Sequence, residues 1–208
     1  MISSLDHLII AVKDLDKAEQ DYSKIFGMPS AWRGEHKELG TINSIFNFQN
    51  TYFELLAANG DGLGAALVNN ALEANGEGLT GIVLGTDNIK EASTSIKVEG
   101  FSIGDVSEGE GNNLNDQKIR KWKNLFLPPE LTRGLFSFII QHTDGDLPLI
   151  DHKPSSISKL DHVVIHTNDA DGFIRVYQDI FKIRLASVFE VKVKLSLKFK
   201  IVLFFSNF

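Results

Sequence analysis

Two histidines of this sequence occupy the same place in a repeated octet. LDHLIIAV spans residues 5–12 and LDHVVIHT spans residues 160–167, so His7 and His162 each follow an aspartate at the start of an apolar, strand-like run. A histidine inside one apolar strand is ordinarily a core residue with a satisfied hydrogen bond. Its recurrence favours an inherited role, and a neutral imidazole is a common ligand of divalent metals.

A carboxylate and another histidine are the next candidates for chemistry. Glu54 stands between Phe53 and Leu55 in the apolar run TYFELLA, residues 51–57. A carboxylate buried in such a strand is costly unless it is paired or bound to a metal. The alternative is an exposed position on an edge strand. His36, in GEHKELGT, is either a ligand or substrate contact or a surface residue beside a turn.

The strand predicted over residues 43–49 has one largely polar face. Asn43 and Asn47 fall on that face, and Phe46 and Phe48 fall on the other, because successive side chains of a strand point to opposite sides. Asn43 and Asn47 are therefore predicted to contact a substrate. A strand with one face in solvent would give the same pattern.

The repetition extends beyond the octet. Residues 5–28 align without a gap to residues 160–183, and nine of the 24 positions are identical. In the first copy Asp14 is placed to cap a helix whose apolar residues recur at helical spacing until Gly27 ends it. The repeated unit is thus a strand followed by a helix.

The rest of the chain continues this pattern. Residues 5–58 are predicted to form a βαβββ unit, and a fainter copy occupies residues 79–142, with Gly81 where the first unit has His7. Together they make one domain over residues 1–145. The strands predicted after the helix of the first unit are 31–38, 43–49 and 51–57.

The remaining segments differ from these units. The acidic stretch 107–116 is predicted to be a solvated loop, and residues 146–159 an interdomain linker rich in proline and serine. Residues 160–208 are predicted to be an incomplete third βαβββ unit. Its residues 189–200 alternate apolar with polar side chains, which predicts one long two-faced edge strand rather than two strands and a turn. A truncated or frame-shifted end would give the same pattern.

Composition excludes several classes of protein. The net charge of -6 over 208 residues disfavours nucleic-acid binding, which needs a concentrated basic face. The absence of cysteine excludes disulfides, zinc–thiolate sites and thiol catalysis. The chain shows no apolar leader and no apolar run near the roughly 18 residues that a membrane span requires. We therefore expect a cytoplasmic protein without nucleic-acid or membrane partners.

Three stretches of this sequence resemble a known family. LDHLIIAVKDLDKAEQDYSKIFGM, GEHKELGTINSIFNF and NTYFELLA are similar to glyoxalase-like domain proteins of the vicinal oxygen chelate superfamily, which also includes extradiol dioxygenases and methylmalonyl-coenzyme A epimerase. The resemblance covers residues 5–142 as one domain and 160–186 as the opening of another. It implies an α+β fold in which paired βαβββ modules form an incomplete barrel, with a partial third module. It is much less specific for the reaction.

The resemblance also implies a divalent metal in the cup of the barrel. Carried over by position, His7 is the first-strand ligand and Glu54 the fourth-strand ligand, and His36 would complete a set of two histidines and one carboxylate. Such donors suit Fe, Mn, Ni, Zn or Co.

This sequence departs from the family's pattern in its second and third units. Gly81 replaces the first-strand histidine, and aligning FIIQHTDGD with FELLAANGD places Ile139 where the fourth-strand carboxylate belongs. His142 is a weaker candidate, because it lies on the strand face opposite to Ile139. The third unit has His162, but its carboxylate would fall beyond residue 208.

Two functions remain open. The first is a divalent-metal-dependent enzyme of the glyoxalase or dioxygenase type, acting on a small substrate with vicinal oxygens, in which Glu54 serves as general base of a lyase or isomerase. The alternative is a metal-free protein of the same fold that binds or sequesters a small molecule. Either is compatible with a homodimer formed through the third module.

Overall fold

The first half of the chain runs through a strand, a helix and three further strands. The computed structural model describes residues 2–183 in full and the backbone of residues 185–193 and 196–204. In chain order the first elements are β1 (Ser4–Ala11), α1 (Leu15–Phe26), β2 (Trp32–His36), a 3-10 turn (Lys37–Leu39), β3 (Thr41–Asn47), β4 (Tyr52–Ala58) and α2 (Leu63–Asn75).

Helix α1 begins and ends where the sequence predicts. The Asp14 side chain accepts a hydrogen bond from the Lys17 backbone N–H at 2.9 Å, which satisfies one of the donors left free at the first turn. Gly27 ends the helix with φ at 68°, a left-handed conformation that favours glycine. The Phe26 ring packs edge-on against Phe46 at 5.3 Å, so the helix covers the outer face of β3.

The second half also runs through a strand, a helix and three strands. A four-residue helix precedes the last of these strands. In chain order the elements are β5 (Gly78–Gly85), α3 (Ile89–Val98), β6 (Ser107–Asn113), β7 (Ile119–Phe126), α4 (Pro129–Thr132) and β8 (Phe136–Asp144).

The expectation of a solvated loop at residues 107–116 is wrong. Ser107–Asn113 is strand β6, which pairs with β7 along its length and with β2 through Asn112 and Asn113. Glycine, asparagine and glutamate are unfavourable in strands, so the local composition gave no sign of β6. Hydrogen bonding to strands on both sides supplies the stability that the composition lacks.

The strands of the two halves close into one barrel. Their order is β1-β4-β3-β2-β6-β7-β8-β5, and β5 returns to β1. The halves meet through two antiparallel pairs, β1 with β5 and β2 with β6. The expected incomplete barrel is therefore wrong, because the pairs Gly34–Asn113 and Glu35–Asn112 close the sheet. In a closed barrel every strand has two neighbours, and no edge is left open to another chain.

Residues 145–161 contain no helix or strand and run along the barrel. The Asn47 side-chain amide donates to the Pro148 carbonyl at 3.1 Å. The Gln49 backbone N–H donates to the Ser158 carbonyl at 2.8 Å. The segment that the sequence marks as a linker therefore lies against the end of the barrel at which β3 stops.

The last part of the chain forms a separate three-stranded sheet. Its order is β10-β11-β9, with antiparallel pairing throughout. The expectation of one long strand over residues 189–200 is wrong, since two paired strands share that range. No glycine or proline within it signals the break. The elements are β9 (His162–Thr167), α5 (Ala170–Ile174) with a π-helical continuation (Arg175–Ile180), β10 (Leu185–Val193) and β11 (Ser196–Phe204).

Aromatic side chains attach this last part to the outside of the barrel. Tyr177 is 0% exposed and stacks on Phe173 at 4.0 Å, and its hydroxyl donates to the Thr132 carbonyl at 3.3 Å. Both rings belong to a hydrophobic core that they share with Leu84 of β5 and Ile96 of α3. The domain limits at 145 and 160, and a homodimer through this part, stay predictions. In the ranges that the structure describes, no helix has the length and apolar character needed to cross a bilayer.

Candidate functional site

The barrel encloses a cavity of about 250 Å³. Inward-pointing residues of the strands build its wall, since alternate side chains of a barrel strand face the interior. One face of helix α2 adds Leu63, Leu67 and Val68. The titratable and cationic groups in the lining are His7, His36, Tyr52, Glu54, Arg120 and His142.

Strand directions divide the cavity into a polar end and an apolar end. Strands β1 and β4 are parallel, so His7 and Tyr52 lie near the same end. Arg120 lies over the Tyr52 ring, with its guanidinium carbon 5.6 Å from the ring centroid. Phe126 and Phe136 lie at the other ends of β7 and β8, toward helix α2. The polar groups therefore form the floor of the cavity, and apolar rings lead toward its opening.

His7 lies between two carboxylates. Its Nδ1 is 2.7 Å from Asp6 Oδ1, and its Nε2 is 3.2 Å from Glu54 Oε2. The residue is only 2% exposed, and its ring stacks on Tyr52 at 4.4 Å. Glu54 is buried as well. The alternative of an exposed position on an edge strand is therefore excluded for Glu54. The sequence prediction that Glu54 is paired if buried agrees with this contact.

The three groups shift one another's pKa values. Burial alone would raise the pKa of Glu54, but the hydrogen bond and charge of His7 outweigh it and lower that pKa to about 2. Burial likewise opposes the charge of His7, yet Asp6 and Glu54 together raise its pKa. For Asp6, burial is outweighed by hydrogen bonds from His142 and His7, and its pKa is lowered. These directions favour an imidazolium between two carboxylates.

Asn43 and His36 lie next to this ion cluster. The Asn43 amide donates to Glu54 Oε1 at 2.6 Å, and its own Oδ1 has no hydrogen-bond partner among the described residues. His36 Nδ1 lies 2.9 Å from the Thr41 hydroxyl, and burial lowers the His36 pKa. His36 therefore faces the cavity as a neutral imidazole.

Asn47 is the predicted site residue that lies elsewhere. It is on the same face of β3 as Asn43, but beyond the floor, where its amide holds the Pro148 carbonyl. It is not part of the cavity lining. The structure therefore brings together His7, His36, Asn43 and Glu54, and it places Asn47 at the segment that runs along the barrel.

The described residues do not complete a metal site. No group of three or more histidine, aspartate or glutamate side chains among them is arranged to hold a metal ion. His7 and Glu54 supply two donors, and those donors already contact each other. His36 Nε2 faces the Asn43 amide nitrogen at 3.5 Å. The residues present therefore do not fit a divalent ion held by the protein alone, which needs three or more ligands.

The second half offers an aromatic ring where the first has its carboxylate. Ile9 pairs with Glu54 across β1 and β4, and Val83 pairs with Phe138 across β5 and β8. Phe138 is thus the counterpart of Glu54, and the prediction of Ile139 is wrong by one residue. Ile139 points out of the barrel into the hydrophobic core, since a shift of one residue reverses the face of a strand.

The same shift changes the position of His142. Because Ile139 points outward, His142 on the opposite face points inward and lines the cavity. Its Nε2 lies 3.0 Å from Asp6 Oδ2. Asp6 therefore holds the imidazole of His7 and that of His142, which lies 136 residues from Asp6 in the chain. Sequence analysis gave neither Asp6 nor His142 this role.

Arg120 is the other functional candidate that sequence analysis missed. It is 6% exposed and lines the cavity. Its signal was present in KIRKWKNLF, where Arg120 and Trp122 alternate with lysines. A basic residue two positions from a large aromatic residue shares its strand face, and such a pair indicates the inner face of a strand.

The aspartate–histidine contact recurs in the third repeat. His162 Nδ1 lies 2.6 Å from Asp161 Oδ2, as His7 does from Asp6. The side chain of His162 is 41% exposed, however, while His7 is buried. Among the described residues, the repeated LDH segment thus keeps its local geometry, but its histidine is buried in the first copy and partly exposed in the third.

Solved structures of similar fold include methylmalonyl-CoA epimerases. A variant of the Streptomyces coelicolor epimerase, in complex with 2-nitronate-propionyl-CoA, has a TM-score of 0.55 at 21% identity, covering 68% of this chain and 98% of that one. The Mycobacterium tuberculosis epimerase has a TM-score of 0.56 at 15% identity, with 69% and 90% covered. A hypothetical protein from Staphylococcus aureus has a TM-score of 0.65 at 15% identity, with 94% and 84% covered. At these identities the likeness concerns the fold.

Sequence comparison identifies the family. No curated protein matches the chain. The family described as Glyoxalase-like domain matches residues 5–181, a range that includes the whole barrel and the first helix of the third repeat. This match confirms the resemblance drawn from the LDH strand. The chain belongs to the glyoxalase-like domain family of the vicinal oxygen chelate superfamily.

Proposed function

We propose that this protein binds a small organic molecule in its barrel cavity without a metal ion. The observation that carries the proposal is the contact between His7 and Glu54, whose Nε2 and Oε2 lie 3.2 Å apart. The two donors expected to hold a metal neutralise each other instead. The corresponding positions of the second half, Gly81 and Phe138, carry no donor side chain.

The acid–base properties of the cluster favour binding over proton transfer. A general base works best when its pKa is near the operating pH, and the pKa of Glu54 is lowered to about 2. Glu54 is therefore a weak base while His7 is bound to it. Asp6 and Glu54 between them occupy both ring nitrogens of His7, so that ring has no free position for a substrate proton.

The shape of the cavity supports a small ligand. A cavity of about 250 Å³ is larger than the roughly 150 Å³ that holds benzene in an apolar protein interior. It is mostly apolar, with a few polar groups at one end, as ligand sites usually are. The Streptomyces coelicolor neighbour is in complex with an organic ligand, and we extend only that general class of ligand to this chain.

A metal-dependent enzyme is the second candidate. Asp6 holds Nδ1 of His7, which is the usual way in which a carboxylate orients a metal-binding histidine and leaves Nε2 for the ion. A separation of 3.2 Å between His7 Nε2 and Glu54 Oε2 is also one that two ligands of a single ion adopt. A bound metal would supply a Lewis acid for vicinal oxygens.

Metal analysis separates the two candidates. The protein is purified without chelator, and its content of Fe, Mn, Ni, Zn and Co is measured by elemental analysis. Its melting temperature is then followed with a library of small organic molecules, with and without a chelator. The proposal expects substoichiometric metal and ligand-induced stabilisation that survives the chelator. Stoichiometric metal, with a melting temperature that the chelator lowers, would establish the second candidate instead.

A further inference from the structure

The floor of the cavity contains a buried cation without a carboxylate partner. Arg120 is 6% exposed, and no salt bridge to it is present in residues 2–183, the range whose side chains are described. Its Nε has no hydrogen-bond partner there. Its one side-chain hydrogen bond is long, from a terminal guanidinium nitrogen to His142 Nδ1 at 3.4 Å.

Aromatic rings hold this guanidinium in place. Its carbon atom lies 5.7 Å from the Trp32 ring centroid and 5.6 Å from the Tyr52 ring centroid. Contacts of this kind stabilise a cation by about 0.5–2 kcal/mol and fix the orientation of a side chain that would otherwise be mobile. They do not use the N–H groups of Arg120, of which only one terminal nitrogen has a hydrogen-bond partner among the described residues, His142 Nδ1.

The nearest carboxylates are already occupied. Asp6 accepts hydrogen bonds from His7 and His142. Glu54 accepts one from Asn43 and is ion-paired with His7. Neither carboxylate is within salt-bridge distance of Arg120. A buried charge without a partner is costly, and a guanidinium is suited to bind a planar carboxylate through two parallel hydrogen bonds.

The other end of the cavity is apolar and open. Phe126 and Leu63 both line the cavity while being 42% and 68% exposed. Phe136 and Phe138 continue the apolar wall inward. A ligand whose charged group reaches Arg120 would therefore direct its remaining part toward an apolar opening.

We propose that the ligand is an amphipathic monocarboxylate, whose carboxylate binds Arg120 at the floor and whose apolar part extends along the phenylalanines toward helix α2. The inference rests on the proposed binding function and specifies its ligand. One guanidinium matches the single charge of a carboxylate. The cavity volume, about 250 Å³, suits a ligand of roughly ten non-hydrogen atoms, since about 150 Å³ holds benzene.

Octanoate and octanamide provide the test, because they differ in charge and hardly in size. Binding is measured by calorimetry and by tryptophan fluorescence in the presence of a chelator. Trp122 lines the cavity and serves as a reporter. We expect octanoate to bind roughly 10- to 100-fold more tightly than octanamide, as a charge-assisted hydrogen bond would give. Equal affinity, or tighter binding of octanamide, would overturn the carboxylate assignment and leave the proposed binding function intact.

Variants of one strand locate the charge. Arg120→Gln should remove the preference for octanoate over octanamide. Lys121→Gln is the matched control, because Lys121 neighbours Arg120 on β7 but is exposed, and it should keep the preference. Circular dichroism and melting curves verify that both variants are folded. A preference unchanged in folded Arg120→Gln contradicts the proposal.

A change at the other end provides evidence that does not depend on Arg120. Ala71 of helix α2 lines the cavity, and Ala71→Phe should fill the apolar opening. This variant is expected to bind octanoate more weakly and butanoate with unchanged affinity. An equal loss of affinity for both acids contradicts the proposed direction of the ligand. If neither octanoate nor octanamide binds the wild-type protein, the ligand class is wrong, and the wider library decides on the binding function separately.

Discussion

His7 Nε2 lies 3.2 Å from Glu54 Oε2 at the floor of a closed barrel. The pair joins the first and the fourth strands of the first half, where the family resemblance implies metal ligands. Here the imidazole and the carboxylate neutralise each other. A metal ion would have to displace the proton that they share, so metal affinity and the stability of the pair are coupled.

Glu54→Gln tests the contribution of this pair to stability. Removing one partner leaves His7 buried with less compensation, and broken buried pairs typically cost about 3–5 kcal/mol. We expect a lower free energy of unfolding in urea denaturation. Glu108→Gln is the control, since the side chain of Glu108 is 78% exposed on β6, and surface pairs contribute little. Equal stability of both variants would show that the pair does not stabilise the fold.

The stability of the protein should depend on pH in a defined window. The pKa of Glu54 is lowered to about 2, so its contribution is present above the unfolded value near 4.3 and is lost as the pH falls toward 2. The pKa of His7 is raised, so its contribution is present below about 6.5 and is lost as the pH rises through the folded value. We expect maximal stability between about pH 4.5 and 6.5.

Urea denaturation at a series of pH values checks this window. His7→Gln should flatten the decline on the alkaline side, because the group that loses its proton there has been removed. Stability that rises between pH 6 and 8 in the wild-type protein would contradict the assignment of an imidazolium to His7.

Much of the fold could be predicted because its signals are local. Asp14 and Gly27 sit at the ends of α1 as the sequence indicates, since a capping carboxylate and a left-handed glycine act within one turn. The repeat of LDH identified the strands that open the first and third copies. Strand β6 was missed because pairing with β2 and β7 stabilises it. Its own residues give no local indication of that pairing.

The candidate site was predictable only where one strand carried the signal. His7 and Glu54 were found from an inward histidine and a glutamate in an apolar run. The contact of Asp6 with His142 joins residues 136 positions apart, and its prediction needs the register of β8. The sequence alignment placed that register one residue too far along the chain. It therefore gave Ile139 the position that Phe138 occupies, and it assigned His142 to the wrong face of the strand.

A pair of substitutions tests this register directly. Phe138 is the structural counterpart of Glu54, and its ring lies 5.9 Å from that of His7. Phe138→Glu should remain folded and add a third donor to the floor. Ni²⁺ or Zn²⁺ should therefore raise the melting temperature of this variant by more than it raises that of the wild-type protein. Ile139→Glu instead places a charge in a core where Ile139 is 0% exposed, and it should be strongly destabilised. The opposite pattern would restore the register drawn from the sequence.

The last prediction concerns the attachment of the third repeat to the barrel. Tyr177 stacks on Phe173, and its hydroxyl donates to the carbonyl of Thr132, the last residue of α4. Burial raises the pKa of Tyr177 to about 12, as expected for a phenol kept neutral inside a core. Tyr177→Phe should cost about 1 kcal/mol, the usual value of one hydrogen bond, and Tyr177→Ala about 3–5 kcal/mol, the value for a lost aromatic side chain. Both substitutions should lower the midpoint of a single cooperative unfolding transition, because the ring belongs to the same hydrophobic core as Leu84 of the barrel. A variant that splits unfolding into two transitions would instead show that the third repeat folds as a unit independent of the barrel.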